Sequence, residues 1–208
     1  MVRAILDGRK TCTRRIVKDG IPDDAMWGYT AFTPKGYISC RGIYVDGYGE
    51  GFYKLPYRPG DILYVRETFI QAAAHTFWYK ADDNSWMPEG LHWKPSIHMP
   101  KEAARIWLKV TDIWVERLQD IDEDGVWNEG FRFTPPCLTR VSADGHTCDL
   151  DGPCKSRIKY CDMTMGELFG MELWDKNIKK SDLDRYGWDA NPWVWVIEFE
   201  RCEKPKEV

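Results

Sequence analysis

A chain of 208 residues has material for one well-buried domain and is marginal for two. With 43% hydrophobic and 30% charged residues, and no apolar run of about 18, it reads as globular with no helical membrane span. A net charge of −4 gives no overall field to draw in duplex DNA, so strong duplex binding is not expected.

The N-terminus has no apolar core of signal-peptide type. The expected setting is therefore cytoplasmic and reducing, and the seven Cys read as thiols or metal ligands before disulfides. Charge is uneven along the chain. Residues 1–18 carry Arg3, Arg9, Lys10, Arg14, Arg15 and Lys18 against Asp7 alone, and an acidic stretch from Asp120 to Glu129 offsets them. Local basicity on an acidic protein suits a small polar or anionic ligand, or a short single strand.

In chain order, Met1 to Leu6 is a short amphipathic helix, closed where Gly8 suits a C-terminal cap. Lys10 to Val17 alternates as a strand. Residues 18–36 are rich in turn formers, and aromatic strands follow at 37–44 and 51–55. Pro59-Gly60-Asp61 turns into a strand over 62–66, and Phe77 to Lys80 is another. Residues 82–98 read as a loop, Pro100 opens a short helix through Ala104, and 106–115 alternates as a strand.

Asp120-Ile121-Asp122-Glu123 resembles a capping box for a helix over 121–129, ending at Gly130. Thr164-Met165-Gly166-Glu167 is a second box, opening a helix toward Trp174. Asn191-Pro192 breaks the chain before a terminal strand with Trp193, Trp195, Ile197 and Phe199 on its buried face. The tail from residue 203 is charged. Many short strands and few helices predict one α+β domain over 1–208, a small mixed β-barrel with flanking short helices.

Residues 131–162 are polar and turn-rich and read as an insertion. They hold Cys137, Cys148, Cys154 and Cys161. Four thiols within 25 residues suit a structural Zn²⁺ by count, but intervals of ten, five and six residues lack the tight pairs of zinc ribbons. Unpaired thiols and disulfides stay open beside the metal.

The chemistry-bearing segment is Gly8-Arg9-Lys10-Thr11-Cys12-Thr13-Arg14-Arg15. A Lys beside hydroxyls at a helix-to-strand junction can bind an oxygen or take a proton from a Thr hydroxyl. Lys10 and Thr13 share a side only if Lys10 lies in the turn, since on a regular strand they face opposite ways. Spacing alone equally fits a solvated basic edge.

This segment resembles the signature of ASCH-domain proteins, a PUA-like β-barrel group, in which a short helix ends in G-x-K-T-x-T-x-R. The resemblance continues through Pro59-Gly60-Asp61 and Val65-Arg66-Glu67, Ser96 to Pro100, the strand 105–115, Leu118 to Gly130, and Trp188 to Phe199. It is nearest the prophage-encoded branch. Some small members release the acyl group from N4-acetylcytidine, using a Lys and a Thr of the signature with a Glu near a helix end. The resemblance carries these roles to Lys10, Thr13 and Glu129.

By their chemistry Arg14 and Arg15 suit a phosphate or developing oxyanion, or serve as strand-surface charge; the resemblance further implies Arg66, Glu67 and His98 as pocket-lining residues. The expected ligand is a modified nucleoside or short RNA, with no cofactor needed for catalysis. A non-catalytic RNA or nucleotide reader, or an RNA-cleaving enzyme, uses the same barrel cleft in the alternatives. The family has a strand before this helix, whereas the sequence here begins within the helix: either the barrel lacks an edge strand, and the exposed edge favours a homo-oligomer, or the true start lies upstream.

Overall fold

The structure, a computed structural model, describes residues 1–18, 20–27, 36–44, 46–87, 90–132 and 163–205. Its first element follows from the sequence in a few bonds. Helix α1 (Val2–Leu6) buries Ala4 and Ile5. It ends because Gly8 adopts φ +71°, a left-handed conformation that glycine reaches without a Cβ clash. The Gly8 N–H donates to the Ile5 carbonyl at 3.1 Å and the Arg9 N–H to the Ala4 carbonyl at 2.8 Å, the bond pair of a Schellman cap. The Lys10 N–H adds a bond to Ala4 at 2.9 Å. Lys10 therefore begins in the turn.

The strands described are β1 (Cys12–Ile16), β2 (Met26–Trp27), β3 (Tyr37–Tyr44), β4 (Gly47–Lys54), β5 (Ile62–Tyr64), β6 (Phe69–Ala73), β7 (Thr76–Tyr79), β8 (Trp107–Arg117) and β9 (Trp193–Cys202). They form a four-stranded sheet in the order β1-β9-β8-β5, a three-stranded sheet β2-β3-β4, and the β6-β7 hairpin. Helices α2 (Glu123–Asn128), α3 (Met165–Phe169) and α4 (Leu183–Tyr186) complete the set with α1, each four to six residues long. The fold is of mixed α and β type with few, short helices. Among the described residues no helix is long and apolar enough to cross a membrane.

The chain divides into two compact units. The first comprises Met1–Thr13, Asp19–Trp114 and Val196–Val208, and the second Arg14–Lys18 and Val115–Trp195. Two apolar clusters hold the first unit. One packs Phe69, Met99, Ala103, Ala104 and Trp107, and the other joins Ile5 of α1 to Ile106, Leu108 and Phe199. Removal of these side chains from water is the main stabilising term.

In the second unit, α3 opens with a reciprocal capping box. Thr164 Oγ1 accepts from the Glu167 N–H at 3.2 Å, and Glu167 Oε2 accepts from the Thr164 N–H at 2.7 Å. The helix runs on through a wider π turn (Gly170–Trp174), and Phe169 stacks near Phe131 and Trp174, at ring-centroid distances of 5.9 and 6.5 Å. The Asn191-Pro192 break is built by Asn191 at φ +44°, whose side-chain oxygen accepts from the Gln119 N–H at 2.9 Å. Arg117 bonds the Asn191 carbonyl at 3.0 Å and lies 4.2 Å over the Trp193 ring.

Several sequence expectations need correcting. Helix α2 starts at Glu123 with Asp122 as its cap, whose Oδ1 accepts from the Gly125 N–H at 2.7 Å; Leu118–Asp120 is a separate 3-10 turn. β4 starts at Gly47 rather than 51. β6 was not foreseen, because Phe69-Ile70-Gln71-Ala72-Ala73 lacks period-two alternation. On β9, Val194 and Val196 are as buried as Trp195 and Ile197, so both faces are covered rather than one.

A Cβ placed on Gly170 would overlap the Trp188 indole ring, although Gly170 has ordinary helical angles. Gly170→Ala should therefore destabilise the protein by about 1–3 kcal/mol through overpacking, against the gain in helix propensity. Urea unfolding checks this. An unchanged or higher midpoint contradicts the packing described.

Candidate functional site

Among the described residues four charged side chains are buried: Lys10 (4% exposed), Arg14 (5%), Glu67 (1%) and Glu129 (7%). Lys, Arg and Glu rarely lose their water unless a partner replaces it. Three of these four fall in the segment or at the helix end singled out from sequence. The fourth is Glu67.

Lys10 and Thr13 belong to the first unit, and Arg14 and Glu129 to the second. The Schellman cap on Ala4 sets the main chain of Lys10 just ahead of β1. Along β1, Cys12 and Arg14 are buried while Thr13 is half-buried and Arg15 exposed, so the strand alternates as its pattern predicts. Arg15 turns its guanidinium back to the Arg14 carbonyl at 2.8 Å.

Arg14 is the best-defined group. Its Nε and Nη2 both donate to Glu116 Oε1 on β8, at 2.9 and 2.7 Å. Its Nη1 donates to the Gly125 carbonyl at 3.4 Å and lies 3.6 Å from Glu129 Oε1. The same carboxylate oxygen accepts the Arg14 main-chain N–H at 2.6 Å. Glu129 occupies the C-terminal cap of α2, where a carboxylate meets the negative end of the helix dipole. Arg14 offsets that with one charge and one N–H.

The site also explains a glycine. A Cβ on Gly125 would stand 2.8 Å from Arg14 Nη2 and 3.0 Å from Asp122 Oδ1, so α2 approaches the guanidinium only without a side chain there.

Glu67 anchors a separate cluster in the first unit. Arg105 grips it with two parallel bonds, Nε to Oε1 at 2.9 Å and Nη2 to Oε2 at 2.8 Å, and reaches Asp82 at 2.9 and 2.8 Å. The guanidinium lies 4.0 Å over the Tyr79 ring, whose hydroxyl donates to the Ala103 carbonyl at 2.5 Å. The hydrogen bonds to Glu67 hold the Arg105 guanidinium more firmly protonated than usual. Burial raises the Tyr79 phenol, with Arg105 opposing and Glu67 and Asp82 adding to the rise.

Arg66 and Glu67 do not pair with each other. Arg66 is exposed and donates to the Tyr64 hydroxyl at 3.2 Å and the Ile97 carbonyl at 3.4 Å. His98 is exposed in a 3-10 turn (Ser96–His98). Cys137, Cys148, Cys154 and Cys161 lie outside the described residues. Among the described residues no group of three or more His, Cys, Asp and Glu is arranged to hold a metal. Sequence reasoning missed Glu116, Arg105 and Asp82, since nothing local marks a partner 102 or 38 residues away.

Comparison with models of known protein families, with curated proteins and with solved structures returned no match to this chain.

Two outcomes follow from these clusters. Arg14→Ala removes the buried guanidinium that Glu116 and Glu129 face and should cost about 3–5 kcal/mol in denaturant unfolding. Arg14→Lys, which keeps the charge but loses the fork, should recover only part of it. A cost near zero contradicts the pairing.

The raised Tyr79 phenol sets a pH dependence. The folded state holds that proton to higher pH than the unfolded chain, so its contribution is present below the ordinary value of 10.0 and is lost as pH rises through the folded value. Unfolding midpoints taken on both sides of pH 10.0 should fall more steeply in wild type than in Tyr79→Phe. Parallel profiles contradict the assignment.

Proposed function

We propose that the protein is an amidohydrolase of the ASCH type, built on a PUA-like barrel and acting on an N4-acylated cytidine or a closely related modified nucleobase. The observation that carries this reading is the burial of Lys10, Arg14 and Glu129. Charged groups withdrawn from water concentrate at sites of chemistry, and Lys10 and Glu129 are among the residues to which the resemblance carries catalytic roles.

In the proposed reaction the Thr13 hydroxyl oxygen attacks the amide carbonyl carbon and its proton passes to the Lys10 amine. The tetrahedral intermediate collapses, the C–N bond breaks, and the proton on Lys10 goes to the departing exocyclic amine. The acyl group is left as an ester on Thr13. Water then adds to the ester with Lys10 again relaying the proton, releasing a carboxylic acid and restoring the hydroxyl.

Glu129 already accepts a main-chain N–H, from the residue that follows Thr13, and faces a guanidinium. That suits it to orient an ammonium or a leaving amine rather than to begin as proton donor. The Arg14 guanidinium is directed to Glu116, so its proposed part is to hold Glu129 rather than to bind a phosphate. The thiols of residues 137–161 have no part in these steps.

Exposed Arg66, 5.6 Å over the Tyr64 ring, favours a second reading, a nucleotide-binding module without turnover. Assay of cytidine release from N4-acetylcytidine separates the two. Wild type should turn over, Lys10→Ala should lose about 10²–10⁴-fold in kcat/KM, and Thr13→Ala at least as much. Absence of turnover in wild type, or full activity in both variants, overturns the hydrolase reading. Salt-dependent oligonucleotide binding without turnover supports the second.

A further inference from the structure

Among the described residues the three-stranded sheet of the first unit has an unpaired margin. β4 is its outer strand, and among the described residues no other strand pairs with it beyond β3. The register fixes what that margin offers. Tyr37 pairs with Lys54 and Tyr44 with Gly47, and the Leu55 N–H bonds the Gly36 carbonyl at 2.9 Å. In an antiparallel pair hydrogen-bonded positions alternate, so Gly47, Gly49, Gly51 and Tyr53 direct their main-chain groups to β3. Tyr48, Glu50, Phe52 and Lys54 direct theirs outward.

The same four residues put their side chains on the sheet's outer face. There Tyr48 is 66% exposed, Phe52 61% and Ile43, directly across from Tyr48, 64%. Glu50 makes a long contact of 3.8 Å to Arg41 across the hairpin. A straight edge with exposed rings is a template for another strand, and charged residues on it decide which strand is accepted.

We propose that this edge pairs antiparallel with β4 of a second copy, as a weak, concentration-dependent dimer that joins two sheets into one of six strands. The sequence of β4 is self-complementary in one register. With Phe52 opposite Phe52 on the two-fold axis, Glu50 faces Lys54 of the other copy and Lys54 faces its Glu50. Every one of these positions is an outward hydrogen-bonding one. Pro56, which lacks an N–H, then falls opposite Tyr48 where the pairing ends. A shift that sets Glu50 opposite Glu50 brings like charges together and is disfavoured. An isologous contact of this kind closes on itself as a dimer and does not propagate.

Sedimentation velocity across the micromolar range tests the proposal, with melting curves run beside it to register folding. Wild type should shift from monomer to dimer with concentration. Lys54→Glu sets Glu against Glu twice per dimer and should weaken association about tenfold or more. It is the primary variant because Glu50 also faces Arg41 within its own sheet. The double variant Glu50→Lys with Lys54→Glu reverses both signs and should restore the dimer. A wild type that stays monomeric overturns the proposal, as does a Lys54→Glu protein that dimerises unchanged. A folded double variant that stays monomeric overturns the register.

Discussion

A guanidinium taken out of water has to find acceptors for its donors, and Arg14 meets that demand from three directions. Glu116 on β8 accepts two bonds, the Gly125 carbonyl of α2 accepts a third, and Glu129 supplies the nearby opposite charge. The consequences reach into the sequence. A Cβ at position 125 would crowd the guanidinium, a carboxylate caps the wrong end of α2, and β1 turns residue 14 inward. Breaking such a group is costly because the charges that remain are stranded, whereas the intact pair adds little net stability of its own. That asymmetry makes the cluster a constraint on conformation more than a source of binding energy.

The Glu67 cluster follows the same rule with a different shape. Arg105 satisfies Glu67 by two parallel bonds, shares a second carboxylate, and lays its flat face on Tyr79. A lysine could make neither the fork nor the stack. The two clusters lie in different units, so each unit has its own buried ion pair.

How much of this could be read from the sequence depended on the range of the interaction. Gly8 and the Thr164 box were legible, because caps are set by residues three or four apart. Pro59-Gly60-Asp61 was legible for the same reason: Gly60 takes φ +95° and Asp61 accepts from the Arg58 N–H at 2.8 Å. The cap of α2 lies two residues past the Asp120 box, since Asp122 is a capping residue type as well and only the fold chooses between them. The buried side of β1 followed from alternation, but what Arg14 meets there did not. Glu116 is 102 positions away in a strand that reads as ordinary alternation. Burial of Lys10 and Glu129 likewise depends on the packing of distant segments, which periodicity does not report.

The proposed reaction passes through an acyl group on Thr13, and that acyl-enzyme is where it can be caught. Wild-type protein mixed with N4-acetylcytidine, quenched in acid and digested with trypsin should yield the Thr11–Arg14 peptide carrying one acetyl group, with fragmentation placing it on Thr13. Thr13→Ala should yield none. Cytidine released with no acetylated peptide at any time point, or an acetyl group on another residue with Thr13→Ala still active, would contradict the account.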